Sequence, residues 1–496
     1  MSLTRTLNED DNPDMDAEKI DTETDTHEHT ETPEFDKTSS KPVIVADARS
    51  QVSAPARRRA RVTRTLLRSL VAVIVGSLIL RLASQTTGQM LQFYFDKIDS
   101  DYYHLSHTLT GFITASFFIA ELFGSLVFGA MSDRYGRKLF IILGPVLGLV
   151  AVQLTSMTVV LWLLVITRVL EGLSTASSVP ATLGYISEAT VGRPALRARV
   201  IGLFEITLVG GIALGASVAG YLWKFFDHSV SVAGIKLISP AFSLNGLIYL
   251  LSLAVFLWGL KDLKRSPRSG SIGKGALGKL KHYRDLLKSP AVWMFIPAWL
   301  AVFSIIGIWT NLSVRLLTGR KQYEGQLLTA SMTEVKFGNG FATFAVIFAL
   351  GILAWSFILA RYRKTSVMLV ATVGLFMLLL TVYGFNHLET FSSPLYYPLM
   401  AMFLIGVILL SGFTPAALTY LADVTESYAQ DRGSIMGLYS VFLGVGQLLG
   451  ATTGGYFAER KGIDGLLLLS VIFGVITVLS LAALHRMRLR ATARPL

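Results

Sequence analysis

Residues 180–221 read PATLGYISEATVGRPALRARVIGLFEITLVGGIALGASVAGY, and residues 415–456 read PAALTYLADVTESYAQDRGSIMGLYSVFLGVGQLLGATTGGY. The two stretches align without a gap at a shift of 235 residues. Pro180, Leu183, Tyr185, Glu188, Thr190 and Arg197 fall on Pro415, Leu418, Tyr420, Asp423, Thr425 and Arg432. Gly202, Leu203, Gly211, Gly215, Gly220 and Tyr221 fall on Gly437, Leu438, Gly446, Gly450, Gly455 and Tyr456. Apolar helices agree by chance mainly through Leu, Val and Gly. Here a proline, a tyrosine, an acid and an arginine match as well. Each copy closes a fourth apolar span and runs through a fifth. The chain therefore reads as two halves of six spans running in the same direction, related by an axis along the membrane normal.

Composition agrees. The 496 residues are 52% hydrophobic and 16% charged, where a soluble chain carries about 25% charge. Continuous apolar runs of about 20 residues suit helices crossing a ~30 Å hydrocarbon core, and their lack of alternation argues against strands. Spans are expected near 67–91, 109–131, 139–157, 159–187, 198–223, 241–260, 291–317, 336–359, 366–386, 395–422, 433–457 and 465–485. The net charge of +12 does not point to nucleic acid, because its Lys and Arg gather in loops on one side. Arg134, Arg137 and Lys138, then Arg193, Arg197 and Arg199, then Arg361, Arg363 and Lys364 lie on the side of both termini. The positive-inside rule makes that side cytoplasmic. The expected organisation is a disordered tail over 1–65, acidic and then basic; a bundle over 66–260; a basic linker over 261–290; a second bundle over 291–488; and a tail over 489–496. Within the linker, Ile272, Leu277, Leu280, Tyr283 and Leu287 interleave with lysines, as in a short helix lying on the membrane surface. Cysteine is absent, which excludes disulfides and thiolate metal sites. The first 40 residues lack the apolar run of a signal peptide.

Between the second and third spans stands Gly129-Ala-Met-Ser-Asp133-Arg134-Tyr-Gly136-Arg137-Lys138. Its glycines allow a tight turn, and an arginine there can bridge neighbouring carboxylates. The loop resembles the signature loop of the major facilitator superfamily: a glycine, Asp-Arg, then Gly-Arg-Lys. The second half has only Ala360-Arg361-Tyr362-Arg363-Lys364 at this place, preceded by Gly351, without the acid or the second glycine. Arg168-Val-Leu-Glu171-Gly172 in the fourth span is similar to the family's Arg-x-x-Gln-Gly, with Glu in place of Gln. Gly202, Gly211 and Gly215 follow the spacing of its antiporter motif, but the expected proline is Ala216. Gly437, Gly446 and Gly450 repeat that spacing, so close helix packing is the better reading of both sets.

Charges within a membrane are costly and mark function by default. Arg81, Glu121, Arg168 and Glu171 fall near mid-span in the first half, with Glu205 roughly 12 Å into the fifth span. Arg168 and Glu171, three apart, share a helix face. From Phe337 to Ala422 the expected spans carry no charge, so a proton-linked step belongs to the first half. Gln85, Gln89, Ser174, Thr175 and Ser178 form polar stripes that either line a cavity or tie helices together. Trp309, Asn311, Phe413 and Thr414 are weaker lining candidates.

The fold class expected is an all-α membrane protein with twelve transmembrane helices in two parallel-repeat bundles. The resemblance implies rocking-bundle alternating access, with Gly129, Asp133, Arg134, Gly136, Arg137 and Lys138 as a conformational lock. The expected function is secondary active transport of a small organic solute, coupled to protons, as a monomer in the plasma membrane with cytoplasmic termini. An uncoupled facilitator, or a transporter-like sensor acting through the tail, are the other readings. The partners are the lipid bilayer, the small-molecule substrate and protons. No enzyme activity, cofactor or metal is expected.

Overall fold

In the computed structural model the described residues are 48–232, 234–261, 290–359, 361–424 and 432–492. The chain divides into two compact units, Met1–Arg59 and Ala60–Leu496, and the membrane fold belongs to the second. The expected surface helix at 272–287 and most of the N-terminal tail lie outside the described residues.

Six helices form the first half: α1 (Ala48–Asp101), α2 (His107–Tyr135), α3 (Arg137–Met157), α4 (Leu161–Ala189), α5 (Pro194–Phe226) and α6 (Pro240–Gly259). The second half contains α7 (Pro290–Asn311), the short α8 (Ser313–Thr318), α9 (Glu334–Ile358), α10 (Lys364–Asn386), α11 (Tyr396–Leu410), α12 (Phe413–Val424) and α13 (Arg432–Thr492). Ten of the described helical segments are long and apolar enough to cross a membrane. The last of these, Val441–Met487, has 47 residues and is broken at Gly462, where φ is 57° and ψ −133°, so it makes two crossings. The twelfth is α4, whose buried Arg168 and Glu171 lower its hydropathy. This is the twelve-helix, two-bundle fold that the repeat predicts.

Two differences from expectation have clear causes. The α5–α6 connection contains strands, β1 (Val230–Val232) and β2 (Ile235–Leu237), paired antiparallel around Gly234 at φ +80°. Outside the apolar spans a hairpin satisfies its own backbone groups. Helix α1 also runs ten residues past the expected end at 91, because its polar last turns are paired. Lys97 Nζ donates to Asp227 Oδ1 at 2.9 Å, and Asp96 and Asp99 meet arginines of the second half.

Lipid offers helices little hydrophobic reason to associate, so small residues and interhelical hydrogen bonds position them. A Cβ at Gly211 would meet Arg81 Cβ at 2.7 Å, and one at Gly215 would meet Gln85 Cβ at 2.7 Å, so α5 lies tight on α1. The repeat does the same on α7: a Cβ at Gly446 would meet Phe303 Cβ at 2.5 Å, and Gly450 packs on the backbone of Ser304. Gly202 has open space around it. Asn245 of α6 donates to the Ala83 carbonyl at 2.9 Å and to Thr87 Oγ1 at 2.8 Å on α1. Ser252 donates to the Gly76 carbonyl at 2.8 Å. The first half buries Tyr94, Tyr185, Phe242, Tyr249 and Phe256. Separate apolar clusters fill the second half, one around Trp299 and Tyr420, the other around Ile308 and Leu466.

Candidate functional site

On the face where α1 begins and α13 ends, Gly136 takes φ 110° and ψ 138°, a conformation that side-chain-bearing residues rarely adopt. It ends α2 and starts α3 in a single residue. That turn brings Arg137, at the start of α3, against Asp133 in the last turn of α2, with which it pairs. Arg137 Nε also donates to Glu188 Oε1 of α4 at 3.0 Å, and Nη1 donates to Ser132 Oγ at 2.8 Å. One guanidinium thus ties the ends of α2 and α4 together. Gly184 leaves room for it, since a Cβ there would meet Arg137 Nε at 2.6 Å. A Cβ at Gly129 would meet Pro180 Cβ at 3.6 Å, an ordinary contact. Arg134 is exposed over the Tyr135 ring, and Lys138 is half-buried.

At mid-membrane, Arg168 Nη1 and Glu171 Oε2 form an ion pair with both side chains buried. The Arg168 guanidinium also lies over the Phe117 ring, 4.8 Å from its centre. Arg168 Nε and Glu171 Oε1 meet no hydrogen-bonding group among the described residues. Gly172 explains why this pair sits where it does. A Cβ there would meet Glu121 N of α2 at 3.1 Å, so α4 crosses α2 in backbone contact beside the pair. Glu121 is half-buried on the same crossing, and Arg81 of α1 is the charge that acts on it. Four of the five candidate charges are therefore gathered around the α1–α2–α4 contact. Glu205 lies on α5, and its side chain falls outside the described residues.

The polar stripes divide. Gln89 Nε2 donates across the halves to the Thr310 carbonyl at 3.2 Å, while its Oε1 meets no partner among the described residues. Gln85 is half-buried beside Gly215. Ser174 and Ser178 face α3 instead: Ser174 Oγ donates to the Gly144 carbonyl at 2.6 Å, and a Cβ at Gly144 would meet Ser178 Cβ at 2.8 Å. Ser174 thus ties α4 to α3, while the Ser178 hydroxyl donates to the Ser174 and Thr175 carbonyls of its own helix. Thr175 is buried beside them. Trp309 Nε1 donates to Ser470 Oγ at 3.0 Å inside the second half. Asn311 donates back to the Gly307 carbonyl at 2.9 Å. Phe413 is buried in the cluster around Trp299, with Thr414 half-buried next to it.

The Major Facilitator Superfamily description matches residues 73–332 and again 324–495, so each half matches separately. The chain belongs to the major facilitator superfamily. Multidrug resistance protein 1 of Bacillus subtilis is 24% identical over 71% of this chain and 81% of its own length. The arabinose-proton symporter of the same organism is 26% identical over 23% of this chain and 24% of its own. Among solved structures, the nucleoside transporter NupG superposes with a TM-score of 0.61 at 13% identity, covering 84% of this chain and 98% of that one. A D-xylose-proton symporter gives 0.58 at 15%, covering 84% and 97%.

This superfamily member also has a second charged cluster, on the face opposite the one where α1 begins and α13 ends. Arg315 of α8, inside the seventh expected span, is buried, with its side chain 4% exposed. It pairs with Asp99 of α1 at 3.0 Å. Glu459 of α13 accepts the backbone N–H of His107, the first residue of α2. Tyr323 lies beside them in the α8–α9 loop. Burial pushes its hydroxyl pKa up, against the pull of Lys321, so it stays protonated and donates to the Ala458 carbonyl at 3.0 Å. The only sequence signal was the presence of Arg315 in a span. Its partner, Asp99, lies 216 residues away.

Proposed function

We propose that the chain is a proton-coupled secondary transporter of a small organic solute. Its two halves, 66–260 and 291–488, rock about the mid-membrane contact, joined by the 261–290 linker. Both termini are cytoplasmic and the loop around Asp133 acts as the lock on that side. The observation that carries the reading is the buried Arg168–Glu171 pair, one carboxylate oxygen of which meets no hydrogen-bonding group among the described residues. A carboxylate held by an arginine favours the charged form, and the same group desolvated without it favours the proton. A carboxylate that exchanges between those two settings as the halves rock binds a proton in one state and releases it in the other. Glu121 beside Arg81 is the second such carboxylate. Relatives named as proton symporters and as a multidrug resistance protein support the same class of coupled transport of organic solutes.

The test separates coupling from movement. In proteoliposomes, Glu171→Gln or Glu121→Gln should abolish accumulation driven by an imposed pH difference while substrate counterflow, which needs no net proton movement, continues. Accumulation persisting in both variants would make these carboxylates structural and move the proton site elsewhere, and a parent that accumulates nothing under a pH difference would remove the proton from the mechanism.

A further inference from the structure

On the face opposite the termini, charged groups of one half are spent on the other. Arg315 of the second half donates from Nη2 to Asp99 Oδ2 at 3.0 Å and to the Leu105 carbonyl at 3.1 Å, and from Nη1 to Thr110 Oγ1 at 3.4 Å. Asp99 uses its other oxygen to accept the Leu105 N–H at 2.5 Å, which pins it to the α1–α2 turn of its own half. In the reverse direction, Glu459 of the second half accepts the His107 N–H. Its carboxylate therefore sits at the N-terminus of the 29-residue α2, at the positive end of that helix's dipole. Arg320 N also donates to Asp96 Oδ1 at 3.2 Å.

Each side of this contact is fixed within its own half. The α8–α9 loop is bound to α13 by Tyr323 and by Gln326, which donates to the Lys461 carbonyl at 2.8 Å and accepts the Ile463 N–H at 2.9 Å. The first half holds Lys97 to Asp227. Parting the halves on this face breaks the bonds of Asp99, Arg315 and Glu459 across the seam and leaves the bonds within each half intact. A cavity of about 280 Å³ among Asp96, Asp99, His107, Arg315, Lys321 and Glu459 gives water room to solvate these charges as they separate. Below the cluster the seam is closed by backbone contact. A Cβ at Gly111 would meet the Ala451 carbonyl at 2.6 Å, and one at Gly220 would meet the Glu334 carbonyl at 2.5 Å.

We propose that the Asp99–Arg315 pair and Glu459 on the α2 N-terminus form a two-point latch that holds this face shut and must release for the transport site to open there. The latch rests on the rocking of the two halves proposed above and would stand if the coupling ion were not the proton.

The cysteine-free chain makes it testable without a substrate. Gly88 of α1 is half-buried next to Gln89, whose amide crosses the seam to Thr310, and a Cβ there would have open space, so Gly88→Cys is a reporter of access at the seam. A membrane-impermeant thiol reagent is applied to sealed vesicles of each orientation. With the reagent on the face opposite the termini, Asp99→Asn and Glu459→Gln should each raise the labelling rate roughly tenfold, and more together, because each removes one charged tie. Arg315→Ala should do the same. Asp227→Asn, which breaks an ion pair within the first half, should leave the rate unchanged. Parental rates in both Asp99→Asn and Glu459→Gln, in protein that remains folded by size exclusion, would overturn the latch, whether or not Arg315→Ala folds. So would equal acceleration by Asp227→Asn. Acceleration only with the reagent on the other face would also overturn it.

Discussion

Arg168 and Glu171 show what a buried charge demands of its neighbours. Neither can ionise alone in the middle of a membrane, and one turn of α4 brings them together. Removing one partner of a buried pair leaves an uncompensated charge, at a cost of ~3–5 kcal/mol, whereas replacing both with apolar residues of similar volume is often neutral or stabilising. Arg168→Met should therefore lower the thermal midpoint strongly. Adding Glu171→Met should restore the midpoint while transport stays lost. Thermal melts of purified protein, read beside flux, check this. A double variant no more stable than the single would mean that Arg168 holds the fold through contacts other than Glu171.

At the scale of helices, the glycine spacing that α5 and α13 share has unequal consequences along its length. Gly211 and Gly215 press on α1, and Gly446 and Gly450 press on α7, but Gly202 faces open space. Gly202→Ala should leave the melting temperature unchanged. Gly450→Ala should cost about 1–3 kcal/mol, the usual penalty of overpacking, because the Ser304 backbone cannot yield as a flexible side chain would. Equal effects at the two sites would refute this placement. The loop at Asp133 behaves differently. Its carboxylate is 52% exposed, and exposed ion pairs contribute little to stability. Asp133→Asn should therefore express and melt almost as the parent does, yet transport slowly, because it loses the charged one of the two α2 contacts through which Arg137 joins α2 to α4. Near-parental flux would reduce the loop to a topological signal. The repeat, the span positions and this loop were all legible in the sequence, because each depends on residues close together in the chain. The direction in which Ser174 and Ser178 point was not. Helical period assigns them to a face of α4, but whether that face meets α3 or a cavity depends on a neighbour elsewhere in the chain.

For the whole molecule, the excess of Lys and Arg in alternate loops predicts that both termini and the 261–290 segment share the cytoplasmic side. Single cysteines at Ser269 and Ser392 should label from opposite sides of sealed cells, and labelling from one side would overturn that topology. Twelve crossings, two parallel halves and mid-span charges in the first half, set against uncharged spans from Phe337 to Ala422, follow from the sequence alone. Hydrophobic length, charge asymmetry and a 235-residue repeat act along the chain and need no knowledge of contacts. Only the tertiary structure decided which charges meet across the seam. Asp99 and Arg315 are 216 residues apart, and His107 and Glu459 are 352 apart. Each looks like an ordinary residue at a helix end until the two halves close and bring it within hydrogen-bonding distance of its partner.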